Sequence, residues 1–155
     1  MNIYKAEKKD LKAILELQKA CYMEEAELYD DFSIPPLIQT MESLKFDFDQ
    51  GIILKIEFEE EIIGSVRAHV DSDTCKIGRL IVNEKFRNKG LGKLLMNEIE
   101  NQFKNVKRFE LFTGHKSVRN LTLYKKLGYL EFHKQHINEN LQFVFLEKYN
   151  VQNES

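Results

Sequence analysis

A basic stretch punctuated by glycines, RNKGLGKLL, runs from Arg87 to Leu95 and is the first candidate for chemistry in this sequence. It follows an apolar strand pattern and leads at once into a helical pattern. The first N–H groups of a helix have no partner inside the helix and lie at the positive end of its dipole. Gly90 and Gly92 leave those groups uncovered. The basic side chains around them are Arg87, Lys89 and Lys93. The pattern predicts a phosphate site, although a tight strand-to-helix turn would use the same glycines.

Two common phosphate-binding loops do not fit this stretch. A Walker loop requires a glycine at the position of Arg87 and a serine or threonine at that of Leu94. A dinucleotide fingerprint requires a third glycine where Leu95 stands. The residues themselves therefore disfavour kinase-like and Rossmann-like proteins.

A second candidate, NLTLYKKLGY, begins at Asn120, one predicted helix and one predicted strand after the glycines. Asn120 and Tyr124 are four positions apart, so they share one face of a helix. An amide and a phenol on one face can bind a ligand and donate a proton to it. Each also has a structural interpretation, Asn120 as a surface residue in a first helical turn and Tyr124 as a packing aromatic.

The two stretches together resemble the GNAT superfamily of acetyl-CoA-dependent N-acetyltransferases. LIVNEKFRNKGLGKLLMNEIE is similar to that family's cofactor motif, and NLTLYKKLGY to its second signature, Asn…Leu-Tyr-x-x-x-Gly-Tyr. The resemblance extends from Gly51 to Lys148 and departs from the family at Asn83 or Glu84, where proline is common. It implies an enzyme that moves the acetyl group of acetyl-CoA to a primary amine, of a small molecule or a protein, by direct attack in a ternary complex. The alternative is a non-catalytic acyl-CoA-binding or regulatory module on the same fold.

The resemblance also implies which residues bind the cosubstrate. The diphosphate of acetyl-CoA would lie on the glycine stretch and the pantetheine arm along the preceding strand, with no metal involved. The implied cofactor-binding residues are Leu80, Ile81, Val82, Arg87, Asn88, Lys89, Gly90, Leu91, Gly92, Lys93 and Asn120. Tyr124 would act as the general acid for the departing thiolate, because a phenol with a pKa of about 10 is neutral at physiological pH.

The general base is less constrained by the sequence. An alkyl ammonium has a pKa of about 10.4, so a base or a chain of waters must take its proton before the amine can attack. His115, at the end of a predicted strand, is the first candidate, and His69 and Glu110 are others. Their structural alternatives are a turn residue, a half-buried packing residue and a sheet-surface charge. A water relay without a dedicated base serves equally well.

An acidic run, MEEAELYDD at 23–31, lies where the acceptor side of such a protein is expected. Its carboxylates, which could attract a cationic amine, are Glu24, Glu25, Glu27, Asp30 and Asp31. Charge runs are more often solvated helix faces, and that interpretation stays open. Tyr29 and Phe32 either line the acceptor pocket or fill it.

The elements that position these residues follow from the hydrophobic period. Asp10 can cap a first helix, and a second helix opens near Pro36 and continues to roughly Leu44. After the glycines, an amphipathic helix of about four turns ends near Phe103. Ser117 can cap the helix that carries Tyr124, and Gly128 stops it. The predicted order is β-α-α-β-β-β-α-β-α-β-β.

The strand–helix–strand unit around the glycines requires one parallel crossover, while short turns join the other strands. We therefore expect an α+β fold (α/β/α layers) built on a mixed, mostly antiparallel sheet of seven strands. The GNAT resemblance implies that the central parallel pair, 76–82 and 108–113, splays apart at the cofactor site.

Length, charge and cysteine content narrow the class further. The 155 residues favour a single domain over 1–150 with a frayed tail at 151–155. A net charge of −2 gives no basic field for nucleic acid or a membrane surface, and no apolar run is long enough to span a bilayer. Cys21 and Cys75 fit reduced packing residues of a cytoplasmic protein. The identity of the acceptor and the oligomeric state, a homodimer included, stay open.

Overall fold

The computed structural model describes residues 2–151 of the chain. The strands are β1 (Asn2–Lys5), β2 (Ile52–Phe58), β3 (Glu61–Asp71), β4 (Thr74–Val82), β5 (Arg108–Gly114), β6 (Leu130–Asn138) and β7 (Leu141–Tyr149). The helices are α1 (Leu11–Tyr29), α2 (Pro35–Ile38), α3 (Met41–Gln50), α4 (Leu91–Asn101) and α5 (Val118–Lys126). The predicted frayed tail at 151–155 lies outside the described residues except for Val151. Within the described range, no helix is both long and apolar enough to cross a membrane.

The strands form one seven-stranded sheet in the order β1-β2-β3-β4-β5-β7-β6. Every neighbouring pair is antiparallel except β4 and β5, which are parallel. The crossover that joins these two strands runs through α4, as the strand–helix–strand pattern requires. The predicted mixed, mostly antiparallel sheet with one parallel pair is confirmed.

The parallel pair separates soon after it forms. β4 and β5 pair only at Thr74–Arg108, Cys75–Phe109 and Lys76–Glu110. β5 continues to pair with β7 along its whole length, so the gap opens on the β4 side. The second half of β4 and the second half of β5 therefore enclose a wedge.

A β-bulge in β4 sits at the start of that wedge. The β3–β4 register passes from Gly78 to Ile81 while β3 advances from Arg67 to Ser65. Arg79 and Leu80 thus face the single residue Val66, and Arg79 has a left-handed φ of 52°. A bulge bends its strand and increases the local twist, so it directs β4 away from β5.

Helices cover both faces of the sheet. On β2, Leu54 and Ile56 belong to a core that includes α4, whereas Ile53 belongs to a second core with α1 and α3. Because alternate residues of a strand point to opposite faces, α4 and α1 lie on opposite sides of the sheet. The expected α/β/α layering is confirmed.

The helix starts differ from the sequence prediction in their capping. The Asp10 side chain makes no cap bond to α1; it accepts the Glu7 N–H at 2.8 Å and pairs with Lys55 Nζ at 2.8 Å. A turn of 3₁₀ helix over Lys8–Asp10 precedes α1, so this carboxylate caps that turn instead. Ser117 stands before α5, but its hydroxyl makes no cap bond.

The lengths of two helices also differ from the prediction. The helix predicted from near Pro36 to Leu44 is two helices, because Gln39 leaves the helical region with ψ 134° and Thr40 caps α3 by accepting the Ser43 N–H at 3.1 Å. α4 has 11 residues, about one turn fewer than expected. Its apolar stripe continues past the last helical turn into Phe103, which packs against the main core.

Candidate active site

A cleft of about 390 Å³ lies between the second half of β4 and the starts of α4 and α5. We call it the glycine cleft. Its lining includes residues of α1, β4, the loop into α4, and the start of α5: Cys21, Tyr22, Glu24, Glu25, Leu80, Ile81, Val82, Arg87, Asn88, Gly90, Leu91, Gly92, Lys93, Ser117 and Asn120. The structure therefore brings together every predicted cofactor-binding residue except Lys89. The Lys89 ammonium lies 5.6 Å from the centre of the Phe86 ring instead.

The glycine corner presents open backbone at the helix start. Gly90 caps α4 in a left-handed conformation with φ 79°, which a residue with a side chain adopts only with strain. The first hydrogen bond of the helix runs from Leu94 N–H to the Gly90 carbonyl at 3.1 Å. The preceding N–H groups, of residues 91–93, lie ahead of that bond. A Cβ added to Gly90 would meet no atom within 4 Å, so the space in front of these groups is open.

The charge of the glycine cleft is opposite in sign to that of the whole chain. The cationic side chains in its lining are Arg87, Lys93, Lys116 and Arg119. Two carboxylates oppose them, and Glu24 is already paired with Arg87 at 2.6 Å and lies 3.7 Å from Arg119. A protein with a net charge of −2 thus has a local cationic site where an anion can bind.

The backbone of β4 forms the floor of the glycine cleft. The Val82 carbonyl already accepts from Arg87 Nε at 3.4 Å and from the Cys21 thiol at 3.5 Å. The bulge residues before it have no register partner in β3, and β5 has separated from this part of β4. Main-chain groups at the bulge are therefore the ones available to an extended ligand, which would bind as an added strand does.

A second cavity, of about 190 Å³, adjoins the glycine cleft, and we call it the inner cavity. Tyr22, Glu25, Leu80 and Asn120 line both spaces. The inner cavity is mostly apolar; its walls include Ile34, Pro35, Pro36, Ile77, Phe112, Leu141 and Phe143. The two cavities meet where the separated strands, α1 and α5 come together, so a ligand in each would touch the other at this junction.

Tyr124, the predicted general acid, is buried at 6 % exposure and lines the inner cavity. Burial raises the pKa of its hydroxyl, and the nearby Tyr22 and Glu25 raise it further. Its ring packs against Tyr129 with centroids 6.1 Å apart. Among the described residues, no hydrogen bond occupies the Tyr124 hydroxyl, so it is a neutral donor free to bind a ligand. Asn120, one helical turn earlier, donates to Thr113 Oγ1 at 3.4 Å.

Of the acidic residues in the run at 23–31, Glu25 is the one that lines both cavities. Its Oε2 accepts from the Ser117 hydroxyl at 2.7 Å, and Ser117 in turn lies 2.8 Å from the Tyr29 hydroxyl. Tyr29 accepts the Lys116 N–H at 2.9 Å. The Ser117 hydroxyl donates its one proton to Glu25, so the Tyr29 hydroxyl must donate to Ser117. The three hydrogen bonds therefore all point in one direction, from the Lys116 N–H toward the Glu25 carboxylate.

Burial raises the pKa of Glu25, although the bond from Ser117 lowers it in part. A carboxylate at the junction of two cavities, with a raised pKa, is suited to proton transfer. Neither Glu27, Asp30 nor Asp31 lines either cavity. The sequence carries a signal for this choice, since Tyr22, Glu25 and Tyr29 follow one another at helical spacing on one face of α1.

The three residues considered as bases in the sequence do not reach the junction. His115 Nδ1 accepts the Gln142 N–H at 2.9 Å and its ring lies 5.8 Å from that of Tyr29, outside both linings. The main-chain N–H of His115 donates to the Gln142 carbonyl at 2.9 Å, which holds the residue to β7. Glu110 binds Arg108 at 2.8 Å, and His69 is an exposed residue of β3 opposite Lys76.

No group of three or more His, Cys, Asp or Glu side chains within residues 2–151 is arranged to hold a metal ion. The junction itself carries the phenol of Tyr22, the carboxylate of Glu25 and the side-chain amide of Asn120.

A seven-stranded mixed sheet, opened at one parallel pair beside an uncovered helix start, is the architecture of the GNAT acetyltransferases. A model of the acetyltransferase (GNAT) family matches residues 11–129, and the chain belongs to this family.

Individual relatives are distant in sequence. The uncharacterized protein YyaT of Bacillus subtilis (strain 168) is 23% identical over 144 residues, which cover 90% of this chain and 88% of that one. The crystal structure of smu.2055 from Streptococcus mutans UA159 superposes with a TM-score of 0.82 at 17% identity, over 96% of this chain and 99% of that one. PaiA N-acetyltransferase from Thermoplasma acidophilum, solved in complex with coenzyme A, gives a TM-score of 0.77 at 16% identity, over 96% and 98%. These structural likenesses establish the fold.

Proposed function

We propose that this protein transfers the acetyl group of acetyl-CoA to a primary amine by direct attack within a ternary complex. The observation that carries the proposal is the junction of the two cavities at Tyr22, Glu25, Leu80 and Asn120. One cavity has the charge and open backbone suited to a phosphate-bearing ligand, and the other has the size and apolar walls suited to a small acceptor. Reaction requires the two ligands to meet, and the junction provides that place.

The glycine cleft is the proposed site of acetyl-CoA. The N–H groups of residues 91–93, with Lys93 and Arg87 beside them, would hold the diphosphate. The bulge in β4 would offer main-chain groups to the pantetheine arm and a donor to the oxygen that becomes negative during attack. The Thermoplasma relative, solved with coenzyme A, supports the choice of cosubstrate.

Glu25 is the proposed proton acceptor for the amine. An ammonium with a pKa of about 10.4 is neutral in only about one molecule in 2,500 at pH 7, a deficit of about 4.6 kcal/mol. The bonds from Lys116 through Tyr29 and Ser117 fix the position of the Glu25 carboxylate. Glu25 has the geometry for this role that His115 lacks, because it lines both cavities.

Tyr124 is the proposed proton donor. A departing thiolate resembling that of cysteine has a conjugate-acid pKa of about 8.5, so a neutral phenol nearby can protonate it. Burial keeps Tyr124 neutral, and Tyr124 lines the inner cavity. A module that only bound acyl-CoA would need neither this donor nor a half-buried carboxylate in the lining of the same cavity.

Two measurements test the function. Calorimetry with coenzyme A should give saturable binding, and release of free thiol from acetyl-CoA should depend on an added amine. Coenzyme A binding without amine-dependent thiol release across a broad panel of primary amines would favour the binding module instead. Absence of coenzyme A binding would remove the cofactor assignment altogether.

A further inference from the structure

The inner cavity contains a cation without a partner. Arg79 lies at the β4 bulge with φ 52° and lines this cavity. Its Nε is buried and makes no hydrogen bond. Among residues 2–151, no carboxylate forms an ion pair with this guanidinium. A buried donor without an acceptor costs about 1–3 kcal/mol, more when it is charged, so its presence beside a cavity points to a ligand that supplies the acceptor.

A neighbouring arginine, Arg67, has hydrogen-bond and ion-pair partners, in contrast to the Nε of Arg79. Arg67, at 8 % exposure, donates to Gln18 Oε1 at 3.0 Å and to Gln39 Oε1 at 2.7 Å, and it pairs with Asp47 at 3.2 Å. Burial and then the charge of Arg79 lower the pKa of Arg67 to about 10, which reflects the proximity of the two guanidinium groups. Asp47 is thus engaged by Arg67, whereas Arg79 has no ion pair among the described residues.

The inner cavity thus presents an unpaired cation and an anion that face the same space. Glu25 lines it with a carboxylate whose Oε1 has no hydrogen-bond partner in the described part of the chain, and no ion pair joins Glu25 to Arg79. Other residues of its lining are apolar and include Ile34, Pro36 and Phe143. A ligand complementary to this arrangement carries an ammonium, a carboxylate and an apolar substituent.

Building on the proposed function, we infer that the acceptor is a free amino acid or a similar small aminocarboxylate with an apolar side chain, whose carboxylate binds Arg79. A guanidinium matches a carboxylate through two parallel hydrogen bonds, which would satisfy the orphaned Nε. The ammonium would lie toward Glu25 at the junction with the glycine cleft. The apolar substituent would pack on the proline and aromatic walls.

The reaction on such an acceptor balances without any further reagent. The ammonium gives one proton to Glu25, and its nitrogen forms a bond to the thioester carbonyl carbon. The C–S bond breaks, and the sulfur leaves as a thiolate that takes a proton from Tyr124. The nitrogen releases its second proton to solvent as the amide forms. Tyr124 regains a proton from solvent and Glu25 returns its proton to solvent, so one proton is released in each turnover. The products are an N-acetylated amino acid, which retains its carboxylate, and coenzyme A.

A matched pair of acceptors tests the inference. Phenylalanine and 2-phenylethylamine differ only in the carboxylate, as do leucine and 3-methylbutylamine. We expect kcat/KM to favour the amino acid in each pair by at least about 30-fold, the range typical of a desolvated charge pair. Arg79→Gln should reduce that preference by about 10-fold or more and Arg79→Lys should retain part of it, because lysine keeps the charge but not the fork.

A binding measurement and a control variant keep folding effects separate. Calorimetric titration of phenylalanine into protein saturated with coenzyme A should show binding that Arg79→Gln weakens, while thermal unfolding reports whether the variant is folded. Lys107→Gln, at a lysine whose side chain is 70% exposed, is the surface control. A carboxylate-free amine that reacts as well as its amino acid, or an unchanged preference in folded Arg79→Gln, overturns the inference. If the wild-type protein neither bound coenzyme A nor transferred an acetyl group, the proposed function itself would be rejected.

Discussion

The glycine cleft and the inner cavity are built from different kinds of sequence signal. About half of the lining of the glycine cleft comes from one stretch, 80–93, and the other half comes from α1 and the segment 116–123. The inner cavity collects two to four residues each from α1, α2, β4, β5, α5 and β7, together with Ile34 of the α1–α2 segment. In the proposed function, one site would bind chiefly through main-chain groups of a local motif, and the other would depend on side chains that only the tertiary fold brings together.

This contrast explains which functions a single sequence can reveal. Main-chain recognition needs a particular backbone path, and glycines at fixed spacing encode that path locally. Side-chain recognition needs groups from distant elements to face one point, and no short pattern encodes that. If the contrast is correct, substitutions in the two regions should separate cosubstrate affinity from turnover.

Tyr124→Phe should have the largest effect. Removing a positioned proton donor lowers kcat by about 10² to 10⁴-fold, while the affinity for coenzyme A should change by less than about twofold because Tyr124 lines the inner cavity and not the glycine cleft. Steady-state thiol release and calorimetry measure the two quantities. Tyr149→Phe, at an exposed tyrosine of β7, is the matched control. A kcat unchanged in Tyr124→Phe would assign the proton transfer to water.

Gly90→Val should have the next largest effect, and it should weaken coenzyme A binding more than it lowers kcat. A side chain there would occupy the open space before the helix start and block charge-assisted bonds worth about 3 kcal/mol together, which weakens coenzyme A binding about 150-fold. Gly128→Val is the control for backbone strain, because Gly128 also has a positive φ, 98°, and lies outside both linings. Equal losses of coenzyme A affinity in the two variants would contradict the phosphate assignment.

Glu25→Gln should lower kcat/KM about 100-fold at neutral pH. A base acts in its deprotonated form, and burial raises the pKa of Glu25 above the ordinary 4.5. The wild-type rate should therefore fall as the pH drops through that raised value, and the variant should lose this acidic limb. Glu27→Gln, at an exposed neighbour on α1, is the control. An acidic limb that persists in Glu25→Gln would belong to another group.

Asp10→Asn should have the smallest effect on both sites while still lowering stability. Burial opposes ionisation of Asp10, but the bond from the Glu7 N–H and the Lys55 ammonium outweigh it and lower its pKa below 3.8. A lowered pKa adds stability that is complete above the unfolded-state value and is lost as the pH falls through the folded-state value. The variant should lose about 1–3 kcal/mol of unfolding free energy at pH 7.

Urea unfolding of Asp10→Asn at several pH values measures this loss. The difference from wild type should hold from pH 7 down to about pH 4 and close below it. Asp71→Asn is the control, because Asp71 forms an exposed pair with Lys76 at 3.4 Å that contributes little. A change in turnover or coenzyme A affinity in Asp10→Asn would mean that the two cavities are coupled to the far end of the sheet.

The sequence was informative wherever a local rule governs the structure. The period of apolar residues predicted the strand and helix order, and the strand–helix–strand unit predicted the parallel pair. Capping was less predictable, because Asp10 and Ser117 each have a competing partner, Lys55 in one case and Glu25 in the other. A capping prediction uses only the residues near the helix start, so it does not include a side chain from a distant element that competes for the same group.

The candidate site divides in the same way. The residues of the glycine motif and Tyr124 were predicted from their spacing and from the family resemblance. His115 was considered as a base because it ends a strand, whereas Glu25 was predicted only as part of an acidic run. Nothing local shows that Gln142 on β7 engages the His115 ring and backbone. Nor does any local pattern show that Arg67 pairs with Asp47 while the Nε of Arg79 has no partner.

Gly114, at the end of β5, sets the distance between two layers of the molecule. The Tyr29 hydroxyl lies directly against it, where a Cβ would clash. Even alanine at this position would push the end of α1 outward, and the Ser117 and Glu25 hydroxyl–carboxylate contact would be stretched with it. The lack of a side chain at position 114 thus allows α1 to lie this close to β5. A substitution of Gly114 should be tolerated only when Tyr29 is replaced by a smaller residue in the same molecule.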